Sequence, residues 1–238
     1  MPYHDAGALD LSAKVITKLK PDVVIFGGDQ IDSYGVSRFS KNPLDPNSQN
    51  FQAELDKFQI IFDKFLKAAG DAEKVMLIGN HELRLSKFLR DRAPALYGLK
   101  SLQLSNLLDL EKLNVSLVSA VTIGGVLFTH GEQVRKASGA SAMAHLEAIS
   151  FAQSIVIGHC HRLGLVWKSR PRQAPVFGME SGHASNPKKL DYLGGDFINW
   201  QTGMALITYV DGVAYPQPLP FHRHGRGWAA VLDGRLIF

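Results

Sequence analysis

Apolar positions recur along this chain in two rhythms. Over residues 6–20, Leu9, Val15, Ile16 and Leu19 stand among polar neighbours and the run stops at Pro21, which predicts an amphipathic helix with Asp5 as its N-cap. Residues 23–26 form an apolar, β-branched run that ends abruptly in Gly27-Gly28-Asp29, the signature of a buried strand. Residues 33–50, rich in Ser, Asn, Pro and Asp, read as a surface loop, either a lid or an insertion. Phe51, Leu55, Phe58, Phe62, Phe65 and Leu66 then fall at helical spacing, so 51–69 is a second helix with a core stripe. Residues 75–78 are another buried strand, leading into Gly79-Asn80-His81-Glu82. Helix, strand, helix, strand predicts an α/β fold.

From residue 115 the rhythm changes. Short apolar runs at 115–118, 121–123, 126–129, 154–157, 176–179, 204–210 and 229–232 are punctuated by Gly, Pro and Asp-Gly, with one helix at roughly 137–151. Asp211-Gly212 and Asp233-Gly234 read as hairpin turns, so the second half is expected to be a mostly antiparallel sheet. No linker composition separates the halves, and 1–238 is read as a single domain.

Composition narrows the class. The 238 residues are 45% hydrophobic and 20% charged, with mean hydropathy of −0.03, which excludes disorder and collagen-like repeats. No apolar run approaches the roughly 18 residues of a membrane span, and residues 1–5 have no signal-peptide character. A cytoplasmic protein without membrane association is expected. Cys160 is the single cysteine, so no intrachain disulfide is expected, and its side chain is assigned to inert packing. The net charge of +4 and a pI near 9.1 matter only where cations cluster. They do so at Arg84, Lys87, Arg90 and Arg92, at Arg162, Lys168, Arg170 and Arg172, at Lys188-Lys189, and from His222 to Arg226. Solvated faces are the plain explanation, and a polyanionic partner such as DNA or RNA is the functional one.

Four strand ends finish in glycine plus a metal-capable side chain: Gly28-Asp29, Gly79-Asn80-His81, Thr129-His130-Gly131 and Gly158-His159-Cys160-His161. Each alone is weak. Together they are specific, because carboxyl ends of neighbouring strands converge where α/β proteins place their ligand crevice. In this order they resemble the motifs of the calcineurin-like metallophosphoesterases: G-D, G-N-H-[DE], [TS]-H-G and G-H-x-H. Asp196-Phe197 and Asn199-Trp200-Gln201 are similar to the tail of phage-type members.

The resemblance implies a four-layer αββα fold, a two-layer β-sandwich flanked by helices. It implies hydrolysis of phosphodiester or phosphomonoester bonds by a metal-activated hydroxide, with nuclease activity favoured slightly by the basic clusters. Asp29 would bridge two divalent ions of Mn, Fe or Zn, while Asn80, His130 and His159 would be ligands of the second ion and His161 of the first. His81 would steady the transition state or protonate the leaving oxygen, with Arg84 and Arg162 contacting substrate. Asp32 is either a second carboxylate behind the site or a loop cap.

One element of the family pattern is missing. Its first strand and D-x-H motif, which supply two ligands of the first metal, would precede Met1, so that strand is absent from this sequence. Three readings stay open: a true start upstream, a mononuclear site, or a site rescued by His4 and Asp5 or silent. A silent fold would be a phosphate- or nucleic-acid-binding adaptor. No pattern sets an oligomeric state.

Overall fold

The computed structural model describes residues 3–38, 50–134, 141–186 and 199–238. Residues 39–49 of the expected 33–50 loop, the Lys188-Lys189 pair and Asp196-Phe197 lie outside them. The chain divides into two compact units, Ile16–Ser119 and Tyr3–Val15 with Ala120–Phe238. The first helix, α1 (Ala6–Leu19), supplies residues to both.

The first unit is built on β1 (Val23–Phe26), α2 (Phe51–Ala69), β2 (Glu73–Leu77), α3 (Leu83–Arg92), α4 (Leu104–Leu107) and β3 (Val115–Val118). Its strands form a parallel sheet in the order β1-β2-β3. The helical stripe of α2 covers it: Phe58 and Phe62 are fully buried with Met76, Leu108 and Leu110. Phe62 stands 4.8 Å from Phe26 on β1 and stacks at 4.8 Å on Phe58. The helix starts where Asn50 accepts the N–H of Ala53, a cap worth about 1 kcal/mol. Because β1 and β2 run parallel in register, Phe26 beside Met76, their carboxyl-terminal loops emerge side by side.

The second unit contains β4 (Ala120–Ile123), β5 (Val126–Thr129), α5 (Ala142–Ala148), β6 (Ser154–Ile157), β7 (Leu163–Arg170), β8 (Gln173–Ser181), β9 (Gly203–Val210), β10 (Val213–Pro220), β11 (His222–His224), β12 (Gly227–Leu232) and β13 (Arg235–Ile237). The expectation of a mostly antiparallel sheet needs correcting for its core. In the order β4-β5-β6-β8-β7, the central pairs β5-β6 and β6-β8 are parallel and only the outer pairs are antiparallel. The physical reason is α5, a crossover helix that returns the chain to start β6 beside β5 and buries Leu146 against Ile155 and Ile157. The β9-β10 and β11-β12-β13 ladders are antiparallel as expected. Asp211 and Gly212, with φ of 51° and 78°, turn the first hairpin in the left-handed region.

Asp5 caps α1 as predicted, accepting the N–H of Ala8 at 3.1 Å. It also takes Trp228 Nε1–H and an Arg223 bond, and Arg223 lies 4.0 Å over the Trp228 ring. Burial raises the Asp5 carboxyl, but these bonds and the Arg223 charge hold it below its usual range. Asp5 is thus committed to structure, and so is Arg223 of the 222–226 cluster.

Candidate metal and phosphoester site

In the first unit, two loops at parallel strand ends carry the chemistry. Asp29 follows Gly28 (φ 92°) and itself has φ of 59°, a conformation that costs a non-glycine residue energy and that surrounding bonds must hold. They do. Glu82, buried, accepts the N–H of Asp29 at 2.8 Å, of Gly79 at 2.9 Å and of Ile31 at 3.3 Å. Glu54, also buried at the start of α2, accepts the N–H groups of Asp32 and Ser33. The two loops interlock at Gly79, where a Cβ would collide with the Asp29 carboxylate and lie 2.8 Å from Glu82.

Asn80 sits between two residues that touch Asp29. The Gly79 backbone leaves room for that carboxylate, and the His81 N–H donates to Asp29 Oδ1 at 3.0 Å. Its amide oxygen, Oδ1, is buried and meets no hydrogen-bond partner among the described residues.

His81 is held on both ring nitrogens. Nδ1 lies 2.7 Å from Asp32 Oδ1, and Nε2 lies 3.0 Å from Arg84 Nη2 and 3.7 Å from Asp29 Oδ2. A guanidinium only donates, so Nε2 accepts and the ring proton sits on Nδ1, donated to Asp32. Arg84 also donates through Nη1 to the Asp32 carbonyl and carboxylate, at 2.6 and 3.1 Å. Burial pushes the Asp32 carboxyl up, yet the hydrogen bond from His81 and the Arg84 charge bring it below its usual range. Asp32 is therefore the carboxylate that orients His81 and anchors Arg84.

In the second unit, β5 and β6 also end side by side, Thr129 in register with Ile157. His130, 1% exposed, follows the first and His159 the second. The His130 carbonyl accepts the N–H of both Gly158 and His159, and His130 Nε2 faces His159 Nδ1 at 3.1 Å. Behind them His145, buried, binds the carbonyls of Ser141 and Gly131, tying α5 to the loop after His130.

His161 adopts φ of 58° and its ring packs against Trp200 at 4.2 Å and His183 at 5.9 Å. Gln201 N–H binds the His161 carbonyl, and His183 N–H binds the Gln201 carbonyl. His183 Nδ1 accepts the Ser185 N–H at 3.0 Å, which leaves its proton on Nε2; burial lowers its pKa to about 4. Cys160 packs against the α5 core, and burial pushes its thiol up, as fits inert packing. Arg162 binds Glu180 at 2.8 Å, and Glu180 also takes the Ala142 N–H at the start of α5. Arg170, from the same basic cluster, is spent on the carbonyls of Phe151, Ala152 and Ala174.

These residues suit divalent cations. A buried amide oxygen with no hydrogen-bond partner among the described residues is a ready oxygen ligand, and carboxylate, amide and imidazole donors match Mn, Fe or Zn. Two nitrogens held about 2.1 Å from one ion lie within about 4.2 Å of each other, and the His130–His159 pair meets that limit. Glu82 adds a further argument: burial and the Asp29 charge raise its pKa, a strain that a cation at Asp29 relieves.

The sequence pattern singled out Asp29, Asn80, His81, His130, His159 and His161. It missed Glu54, Glu82's role on the backbone, and His183, none of which sits in a spacing that signals chemistry.

Comparison with known proteins agrees with this chemistry. Calcineurin-like phosphoesterases, as a family, match residues 4–202. The Gene 54 protein of Mycobacterium phage L5 is 30% identical over 96% of this chain and 94% of its own length. The Gene 54 protein of Mycobacterium phage D29 is also 30% identical, over 89% and 86%. Among solved structures, a Vps29 double mutant from Entamoeba histolytica is 12% identical, with a TM-score of 0.42 over 98% of this chain and 87% of that one. With the match spanning both units and all four motifs, the chain belongs to the calcineurin-like phosphoesterase family.

Proposed function

We propose that the protein is a metal-dependent hydrolase of phosphodiester or phosphomonoester bonds, with nucleic acid as its favoured substrate. The observation that carries this reading is the buried Asn80 oxygen, which meets no hydrogen-bond partner among the described residues and belongs to the residue before His81, whose N–H binds Asp29. Asp29, Asn80, His130, His159 and His161 would hold the metal ions, and the family match from 4 to 202 supports treating both units as one domain. Bound divalent cations would supply Lewis-acid polarisation of phosphoryl oxygens and activation of water.

The chain's own residues do the rest. Asp32 fixes the His81 ring, so that Nε2 faces outward on the Asp29 side. Arg84 occupies Nε2 in the resting arrangement. A substrate phosphate would draw the Arg84 guanidinium to itself, freeing His81 Nε2 to take a proton from solvent and, as an imidazolium held by Asp32, to pass it to the leaving oxygen. Arg162, held by Glu180, would serve as a second phosphate contact. A cytoplasmic location fits this role, and among the described residues no helix is long and apolar enough to cross a membrane.

The test is hydrolysis of bis-nitrophenyl phosphate by the full chain with Mn²⁺, Fe²⁺ or Zn²⁺. Turnover that EDTA and Asp29→Ala both abolish supports the reading. No turnover with any metal overturns it in favour of a silent binding module, and activity retained by Asp29→Ala refutes the role of that carboxylate.

A further inference from the structure

Helix α3 starts directly after Glu82 and is anchored by two buried residues, Leu85 and Leu89. Arg84, Phe88 and Arg92 are four residues apart and so form one row, each step rising about 6 Å along the axis. The row begins at the site, because Arg84 holds Asp32 and His81. It then leads away from it through Phe88, 38% exposed, to Arg92, which is exposed. Lys87 is exposed one position before Phe88. The 3-10 turn Pro94–Leu96 packs on α3 and is followed by Tyr97, 50% exposed, and Lys100.

Phe88 and Tyr97 leave partly open ring faces among these cations. Residues 83–100 carry five cations (Arg84, Lys87, Arg90, Arg92 and Lys100) against one acid, Asp91, and Arg90 Nε neutralises that acid at 2.9 Å. Cations alternating with open aromatic faces suit a partner with phosphates and unstacked bases. Duplex ends and acidic peptides lack one or the other.

We propose that the Arg84–Phe88–Arg92 face of α3 is a seat for single-stranded nucleic acid, delivering a phosphodiester to His81. Arg92 and Lys87 neutralise phosphates and Phe88 stacks on a base. The proposal rests on the phosphoesterase reading above and narrows its nucleic-acid substrate to single strands, held on α3.

The experiment measures fluorescence anisotropy of labelled oligo-dT and oligo-U with the Mn²⁺-loaded full chain, from about 50 to about 200 mM salt. Phe88→Ala is expected to weaken binding about 5- to 100-fold, and Arg92→Gln to reduce the salt slope by about one. Both should hydrolyse bis-nitrophenyl phosphate at the wild-type rate. Arg92→Gln keeps the test decisive if Phe88→Ala fails to fold. Unchanged affinity and slope, tighter binding to duplex, or displacement by an acidic peptide alone overturns the seat. Undetectable oligonucleotide binding by a wild type that still hydrolyses bis-nitrophenyl phosphate overturns the seat and spares the phosphoesterase reading; loss of that hydrolysis condemns the reading beneath it.

Discussion

The carboxylate of Glu82 accepts the backbone N–H of Asp29 at 2.8 Å, so a side chain after β2 sets the conformation of the loop after β1. Glu82 secures Gly79 and Ile31 with the same two oxygens. Glu82→Ala would leave three N–H groups facing a cavity. It is expected to cost about 3 kcal/mol of stability and to abolish metal retention, read by urea denaturation and by metal analysis of the purified variant. Wild-type stability and metal content together would show that the loop does not depend on Glu82.

Asp32 and His81 form a second coupled pair at 2.7 Å. Asp32→Asn keeps the shape of the side chain but presents either an amide donor or a neutral acceptor to Nδ1, and it removes the charge that anchors Arg84. Turnover should fall about 100-fold with metal content unchanged. A fall in metal content of the same size would instead make Asp32 a ligand.

His183 predicts a dependence of stability on pH. Its folded pKa of about 4 lies below the unfolded value near 6.5, so the unfolded chain takes the proton first. The stabilisation is complete above pH 6.5 and is lost as pH falls towards 4, by up to about 3 kcal/mol. Unfolding of the EDTA-treated protein at pH 7 and pH 4.5 measures it, and His183→Gln should flatten the difference. Asp5, held below its usual range, titrates beneath that window. An unchanged slope in His183→Gln would contradict the burial argument.

Trp200, 4.2 Å from His161, is a built-in reporter. If His161 binds Mn²⁺, the paramagnetic ion quenches the indole. Of the three tryptophans, Trp200 should carry most of the quenching, so Trp200→Phe removes most of it while leaving Mn²⁺ affinity within a few fold. Full quenching in that variant would place the ion away from His161.

The legible parts were those in which one short segment decides its own structure. The aromatic stripe of α2 requires a buried face, and Phe58 and Phe62 are in fact fully buried. The β-branched runs ending at Asp29, Asn80, His130 and His159 announce strands whose glycine-bearing ends are turned to chemistry. What escaped depends on distant partners. Glu54 and Glu82 look like solvated helix charges until folding brings backbone N–H groups to them. The 213–220 segment was not among the expected strands, yet β10 pairs in full register with β9, because Pro216, Pro218 and Pro220, at alternate positions, give up N–H groups along one edge only. Helix α3 was hidden by its polar character, with just Leu85 and Leu89 buried. The parallel core of the second sheet could not be read because strand order is set by the α5 crossover and not by the strands.

The central claim of the proposed function is that Asn80 and His159, from two strand ends far apart in sequence, are both metal ligands. Mass-spectrometric metal content of Mn²⁺-loaded wild type, Asn80→Ala and His159→Ala tests it directly. The account predicts at least one ion per wild-type chain and the loss of an equivalent from each variant after desalting, with stability in EDTA unaltered. Equal metal content in all three proteins would contradict it.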